Sequence, residues 1–296
     1  MKAWQESSEN MDHFFVLTNQ PKDKELKITN YICGYMREKG KQCDYMVFAP
    51  EREPLGNSNL NPLNLPGDLE CILVLGGDGT LLQAAMDTLY LDIPLIGINL
   101  GNLGFLAEVE QSHISGALDQ LIRGEWQPEE RMMLSGTLMK AGKEPEKYHA
   151  LNDIVLTREG SLRIVTYDIF VNGQFLNSYH ADGVIVSTPT GSTGYNMSAG
   201  GPIVEPKAKL ILITPICPHT LNTRSIILSP EDQIEVKIGV GKNGDVQRAE
   251  VNFDGNFRET LKTGDSIVIN QSKKVTRLIR LSRESFLEVL HKKISE

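Results

Sequence analysis

Apolar and polar positions follow two different patterns along this chain, and the first 126 residues show the pattern of an α/β domain. Continuous apolar runs at residues 14–17, 71–75 and 95–98 are typical of strands that are buried on both faces. Residues 26–36 and 114–122 carry apolar side chains at helical spacing. Strands that alternate with helices in this order predict a parallel sheet of the doubly wound type.

The pattern changes after Trp126, and the later residues are typical of a β-rich domain. Residues 165–171 and 234–240 alternate apolar and polar side chains, as half-exposed strands do, and Asn172-Gly173 predicts a hairpin turn. We therefore expect a mainly antiparallel, sandwich-like domain over residues 127–274. Residues 283–293 resemble a last helix whose apolar face is Phe286, Leu287 and Leu290. This C-terminal segment, residues 275–296, is expected to return to the α/β domain of residues 11–126.

Composition restricts the class of protein. The chain has 296 residues, 40% of them hydrophobic, and a net charge of −8, which lacks the electrostatic footprint of a nucleic-acid binder. The 4 cysteines show no CxxC or zinc-site spacing and suit a reducing cytosol. Residues 1–11 are polar and acidic, unlike a signal peptide, and no apolar stretch is long enough to span a bilayer. We expect a cytoplasmic protein with no membrane or nucleic-acid partner.

The first candidate for chemistry is Gly76-Gly77-Asp78-Gly79-Thr80, which joins a buried strand to a helix. Glycines at such a junction allow a sharp turn and a close approach of phosphates to the backbone. An aspartate there repels phosphate, so we interpret it as a proton acceptor or as a group that interacts with a magnesium ion on the nucleotide. The competing interpretation is a helix N-cap. The motif is neither a Walker A loop nor a GxGxxG fingerprint.

The second candidate is the run from Ser187 to Tyr195, which comes after a short strand. It places five Ser/Thr hydroxyls, two glycines and Pro189 in one turn, a donor surface for a polar or anionic ligand. The competing interpretation is a Ser/Thr-rich surface turn. Two shorter motifs, Asn152-Asp153 and Asp254-Gly255, indicate only turns when each is taken alone.

Taken together and in this order, these segments resemble the NAD kinase family. The resemblance covers most of the chain and adds residues 99–106, 198–202 and 218–221 to the motifs above. The glycine–aspartate motif alone is also found in lipid kinases and phosphofructokinases, whereas the run Thr188-Pro189-Thr190-Gly191-Ser192-Thr193 is far more specific. The family implies a nucleotide-binding α/β domain that faces a β-rich NAD-binding domain.

The resemblance also implies roles for individual residues. Asp78 is expected to be the general base that accepts the proton of the ribose 2′-hydroxyl, with Gly79 and Phe105 lining the NAD site. Asn152 and Asp153 are expected to hold the adenosine ribose or the nicotinamide end. Further ligand positions are Arg163, His180, Asp182, Thr190, Thr193, Gly194, Tyr195, Asn196, Met197, Ser198 and Asn256. Two of these differ mildly from the family: Gly194 stands where alanine is common, and Asn256 where the side chain is often longer.

The implied reaction moves a phosphoryl group from ATP or polyphosphate to NAD, with Mg²⁺ or another divalent metal on the donor phosphates. Few basic residues lie beside the motifs, so we expect the metal and backbone amides to meet most of the phosphate charge. The family also implies a homodimer or homotetramer. Two alternatives remain: a lipid kinase, which would leave the Thr-Pro-Thr-Gly-Ser-Thr run unexplained, and a catalytically silent NAD-binding protein, against which the presence of Asp78 argues.

Overall fold

The computed structural model describes residues 11–48, 65–101, 104–160, 164–220, 224–241, 244–281 and 285–295. The chain forms two compact units. The first consists of Met1–Glu130 and Thr276–Glu296, and the second of Arg131–Val275. Two long strands, β6 (Gln127–Met139) and β17 (Ser266–Arg280), carry the chain from one unit to the other.

The first unit is built on a parallel sheet, as its buried apolar runs predict. Its strands β1 to β5 span His13–Asn19, Gln42–Phe48, Cys71–Gly76, Leu95–Asn99 and Val109–Glu110. They pair in the order β2-β1-β3-β4-β5, every pair parallel. The helices α1, α2, α3 and α5 span Lys27–Glu38, Asp78–Asp87, Ile114–Ile122 and Phe286–Ile294. Short 3-10 turns precede two of them, at Lys24–Leu26 and Gln111–His113.

The core of the first unit lies between its sheet and the apolar faces of α1 and α3, which bury Ile32, Met36, Leu118 and Leu121. The doubly wound α/β fold is therefore confirmed. The expected apolar face of the last helix is wrong in one respect. Leu287 is 70% exposed, and no residue of α5 is fully buried. This helix therefore adds little to the core of the unit.

The second unit is a sandwich of antiparallel strands, and the short helix α4 (Tyr195–Ser198) belongs to it. In one sheet, β10 (Gln174–Ala181), β9 (Val165–Val171) and β14 (Ile234–Ile238) lead to β17, and β6 pairs with β17 and β7 (Glu146–Ala150). The other sheet contains β8 (Asp153–Arg158), β11 (Gly183–Ser187), β12 (Ile211–Ile216), β13 (Ile226–Leu228), β15 (Arg248–Phe253) and β16 (Phe257–Lys262). Its strand order is β13-β12-β11-β8-β15-β16.

Both sheets of the second unit contribute to one apolar core, which contains Tyr167 and Ile169 from β9 and Val184 and Val186 from β11. The hairpin predicted at Asn172-Gly173 is confirmed, because β9 pairs antiparallel with β10 and both turn residues have positive φ, 51° and 76°. No helix within the described residues is long and apolar enough to cross a membrane.

Candidate active site

The glycine–aspartate motif lies at the junction of β3 and α2 in the first unit. Gly77 is the residue that precedes the helix, with an extended backbone, and α2 begins at Asp78. The interpretation of Asp78 as an N-cap is therefore wrong. Glycine is required at position 76, because a Cβ there would lie 2.3 Å from Thr80 Oγ1. Gly79 lies exposed on the first turn of α2, where a Cβ would meet no atom within 4 Å.

The carboxylate of Asp78 is held by the backbone of a distant loop. The N–H of Phe105 donates to its Oδ2 over 2.8 Å, and the N–H groups of Leu106 and Ala107 donate to its Oδ1 over 3.2 and 3.1 Å. Gly104 makes this approach possible, since a Cβ on it would lie 1.8 Å from Oδ1. A carboxylate accepts about four hydrogen bonds. Asp78 is thus fixed in place with about one acceptor position left for a further donor.

Phe105 contributes its backbone to Asp78 and its ring to the last helix. The centroid of the Phe105 ring lies 6.2 Å from that of the Phe286 ring. The Lys293 ammonium lies 5.2 Å from the centroid of the Phe105 ring, which is a cation–π arrangement. Both partners belong to α5. The C-terminal helix therefore packs on the loop whose amides hold Asp78, a link that the sequence does not reveal because the two segments lie far apart along the chain.

A second carboxylate of the same kind organises the second unit. Asp254, at the β15–β16 hairpin, accepts hydrogen bonds from the N–H groups of Leu151, Asn152 and Asp153 over 2.7, 2.7 and 3.1 Å. The hairpin expected at Asp254-Gly255 is confirmed, with φ of 51° and 71°. The sequence missed the larger role of this side chain, which shapes the Asn152-Asp153 turn.

The pKa values of Asp153 and Asp254 are both raised. Asp153 is only 6% exposed, and burial together with the nearby Asp254 charge raises its pKa to about 7. Burial also raises the pKa of Asp254 to about 6, against the lowering effect of its three amide donors. Raised carboxyl pKa values are characteristic of functional sites, where a side chain must change protonation state near neutral pH.

The Ser/Thr-rich run is an interior loop, so the surface-turn interpretation is wrong. Thr188 is 0% exposed, its backbone N–H donates to the Asn152 carbonyl over 2.8 Å, and its hydroxyl donates to the Leu151 carbonyl over 2.7 Å. Gly191 fits only as glycine, because a Cβ would lie 2.3 Å from the Asn152 carbonyl oxygen. The structure thus brings this loop and the Asn152-Asp153 turn together.

After this loop the chain continues as a 3-10 turn, Thr190–Thr193, and the short helix α4. In this structure the Asn196 side chain serves the loop. It is 0% exposed, and its amide donates to the carbonyls of Ser192 and Pro202 over 3.1 and 3.0 Å. Its expected role as a ligand position stays a prediction. Tyr195 and Met197 are 46% and 41% exposed and remain available to a ligand.

A buried arginine that sequence reasoning missed supports the start of this segment. Arg131, on β6, is 2% exposed, and its guanidinium donates to the hydroxyl of Thr190 over 3.3 Å. A buried guanidinium is costly unless its donors are satisfied, so this contact fixes the position of Thr190. Only its place within an apolar strand could have marked this residue in the sequence.

Two further expected ligand residues lie at the end of β10. His180 is exposed, and its Nδ1 lies 3.1 Å from Thr166 Oγ1. Asp182 accepts a hydrogen bond from Arg158 Nε over 3.0 Å, so part of its charge is already balanced. Arg163, another expected ligand position, lies outside the described residues.

The two positions that differ from the family tolerate their residues. A Cβ on Gly194 would lie 3.3 Å from the Gly191 carbonyl oxygen, a tight contact that a small shift relieves, so alanine and glycine are both compatible with this loop. Asn256 is exposed on the β15–β16 hairpin, where its backbone N–H donates to the Phe253 carbonyl. Its side chain is therefore able to face solvent or ligand.

Comparison with known proteins gives a consistent picture. The family described as ATP-NAD kinase N-terminal domain matches residues 27–126, and the family described as ATP-NAD kinase C-terminal domain matches residues 151–281. An NAD kinase of Lachnoclostridium phytofermentans is 45% identical over 288 residues, covering 97% of this chain and 100% of that protein. An NAD kinase of Agathobacter rectalis is also 45% identical, covering 96% and 99%.

Two solved structures share the fold. A yeast NADH kinase complexed with NADH aligns with a TM-score of 0.80 at 26% identity, covering 99% of this chain and 89% of that one. An NAD kinase from Archaeoglobus fulgidus in complex with ATP aligns with a TM-score of 0.71 at 24% identity, covering 95% and 98%. The second likeness concerns the fold alone.

Proposed function

Because this chain belongs to the NAD kinase family, we propose that it transfers the terminal phosphoryl group of ATP to the 2′-hydroxyl of the adenosine ribose of NAD, forming NADP and ADP. The observation that carries the chemical part of this proposal is the Asp78 carboxylate, held by three backbone amides at the start of α2.

In this mechanism Asp78 acts as the general base. The ribose oxygen attacks the terminal phosphorus, the bond from that phosphorus to the bridging oxygen breaks, and the hydroxyl proton moves to the open acceptor position of Asp78. A positioned base contributes about 10² to 10⁴ in rate. The three amides keep the carboxylate from rotating away, so its geometry does not have to be established during the reaction.

The second unit supplies the residues that we assign to NAD. Asn152 Oδ1 is buried and has no hydrogen-bond partner within the described part of the chain, as expected of a group that a ligand satisfies. Asp153, Tyr195 and Met197 lie on the segments that the Thr188 and Asp254 contacts hold together. The exposed phenol ring of Tyr195 is suited to pack on a base.

Magnesium fits this arrangement only as a companion of the donor. No cluster of three or more His, Cys, Asp or Glu side chains suitable for a metal is present among the described residues. Mg²⁺ in kinases is typically held by substrate phosphates and one or two carboxylates, so such a cluster is not required. We propose that the metal enters with the donor, ATP or polyphosphate, and neutralises phosphate charge there.

The remaining parts of the proposal concern organisation. We assign residues 11–126 with 275–296 to the nucleotide-binding domain and residues 127–274 to the NAD-binding domain. We further propose a cytoplasmic homodimer or homotetramer. Light scattering at working concentration measures the assembly directly, and the mass of a single 32.9 kDa chain would contradict it.

The test is NADP formation by the purified protein with NAD, ATP and Mg²⁺, run beside Asp78→Asn. We expect product from the native chain and a fall in kcat of about 10² or more in the variant. Calorimetric titration of both proteins with NAD shows whether the variant still binds. NAD binding without product formation by the native chain would indicate a silent binder or a different phosphoryl donor, and a repeat of the assay with polyphosphate separates the two; absence of NADP with both donors would reject the kinase.

A further inference from the structure

A lysine that no motif contains lies against the glycine–aspartate motif. A Cβ added to Gly77 would lie 2.8 Å from the ammonium nitrogen of Lys22, so this charge occupies the space that the missing side chain leaves. Lys22 comes after β1 in the sequence and is more than fifty residues away from Gly77 along the chain. The sequence-based expectation that few cations accompany the motif therefore needs revision.

The loop that carries Lys22 is fixed at both ends. On one side, the amide of Asn19 donates to Thr80 Oγ1 of α2 over 3.1 Å, and the Asn19 carbonyl accepts the N–H of Lys22 over 2.9 Å. On the other side, Asp23 is 2% exposed and its carboxylate accepts the N–H groups of Ile28 and Thr29 at the start of α1. The backbone of Lys22 is thus held beside the motif.

The charge of Lys22 is not balanced by the acidic side chains that the structure describes. Lys27 pairs with Glu25 over 3.0 Å and Lys41 with Asp12, whereas no carboxylate of the described residues lies within ion-pair distance of Lys22. The chain as a whole carries a net charge of −8. The Lys22 ammonium is therefore available to an external anion, and its position against Gly77 places it beside the glycine–aspartate motif.

We propose that Lys22 binds the phosphate chain of the donor nucleotide, at its terminal phosphate; this inference rests on the proposed kinase function. If Asp78 accepts the proton of the attacking hydroxyl, the terminal phosphorus must lie about 3 to 3.5 Å from that hydroxyl oxygen. The donor phosphate is thereby placed beside Asp78 and its neighbour Gly77. Lys22 Nζ lies against Gly77, and a lysine ammonium is a common point-charge ligand of phosphate. The backbone N–H groups of Asp78 and Gly79 lie in the first turn of α2, where amides have no intrahelical acceptor, and they are therefore able to donate to the same phosphate.

The experiment measures steady-state NADP formation with ATP and Mg²⁺ for Lys22→Met, Lys22→Arg and Lys24→Met. Lys24 is the matched control, an exposed lysine two residues further along the chain at the start of the 3-10 turn Lys24–Leu26. Removing a hydrogen bond to a charged group weakens binding by about 10- to 100-fold, so Lys22→Met should raise the KM for ATP by that factor. Lys22→Arg should recover most of the loss, and Lys24→Met should resemble the native protein.

A second titration separates the possible causes. The Kd of NAD, measured by calorimetry without donor, should stay within about twofold of native in Lys22→Met. An unchanged KM for ATP, or a rise in the Kd of NAD in its place, would overturn the inference while leaving the kinase intact. Absence of NADP from the native protein with ATP and with polyphosphate rejects the proposed function itself. Thermal unfolding of each variant verifies that the exposed Lys22 can be replaced without loss of the fold, and Lys22→Arg carries the comparison if methionine lowers the Tm.

Discussion

The contact between Gly104 and Asp78 allows the position of the base to be disturbed without touching the base. In Gly104→Ala, the added Cβ would lie 1.8 Å from Asp78 Oδ1, 2.2 Å from Cγ and 2.4 Å from Oδ2. Non-bonded carbon atoms approach to about 3.5 Å, so the carboxylate must retreat by about 1.5 Å. Hydrogen bonds that now measure 2.8 to 3.2 Å would then be broken.

The expected magnitude is set by these three hydrogen bonds. A hydrogen bond to a charged group contributes about 1.5 to 3 kcal/mol, but Asp78 is half-buried and water replaces part of the lost interaction. We therefore expect Gly104→Ala to lower the free energy of unfolding by about 1 to 3 kcal/mol. Because the base is displaced by more than a hydrogen bond tolerates, kcat should fall by about 10² or more.

Gly101→Ala is the matched control, since a Cβ at that glycine of the same loop would meet no atom within 4 Å. NADP formation and urea unfolding of both variants give the comparison. The argument that this glycine makes room for the Asp78 carboxylate would be refuted if Gly104→Ala kept the native kcat and its free energy of unfolding differed from native by less than about 0.5 kcal/mol. A loss of activity in Gly101→Ala as large as in Gly104→Ala would show that the loop is sensitive to any substitution.

Two further predictions concern the second unit. The raised pKa of Asp153, about 7 against 3.8, means that its contribution to stability is fully present below pH 3.8 and is lost as pH rises through 7. The full difference corresponds to about 4 kcal/mol, of which about 2.7 kcal/mol is lost between pH 5 and pH 7. The free energy of unfolding, measured with urea at pH 5 and pH 8, should therefore change less in Asp153→Asn than in the native protein, although Asp254, whose pKa is also raised, contributes in both. An equal change in the two proteins would contradict the assignment. In thermal unfolding, Gly191→Ala should lower the Tm because its Cβ would lie 2.3 Å from the Asn152 carbonyl oxygen, whereas Gly194→Ala should leave the Tm nearly native; equal Tm values would count against this packing.

Much of the fold could be predicted because it depends on local patterns. The buried strand at Cys71–Gly76 is a run of apolar residues, and the hairpin at Asn172-Gly173 has the residues that positive φ requires. The last helix shows where such patterns fail. Leu287 fits the periodicity of an apolar face, yet it is exposed, because the face that α5 uses is set by Phe105, a residue from a distant loop.

The candidate site could be predicted only in part, because its geometry depends on contacts between distant segments. Asp78 meets amides that lie 27 to 29 residues away, and Asp254 meets amides 101 to 103 residues away. Asp78 was identified from its motif, but the loop that fixes it was not. Lys22 carries no local signal, since a lone basic residue is usually a solvated side chain, and Arg131 is marked only by its place within an apolar strand.

The same arrangement thus occurs in both units: Asp78 and Asp254 each accept hydrogen bonds from three successive backbone N–H groups. It changes how the Asp78→Asn result must be interpreted. An asparagine offers one accepting oxygen and an NH₂ group that is itself a donor, so it cannot satisfy the N–H groups of Phe105, Leu106 and Ala107 together. The fall in kcat in Asp78→Asn therefore combines loss of the base with displacement of the loop. Gly104→Ala keeps the base but displaces it. If kcat falls further in Asp78→Asn than in Gly104→Ala, the difference between the two falls is a lower bound on the contribution of proton transfer.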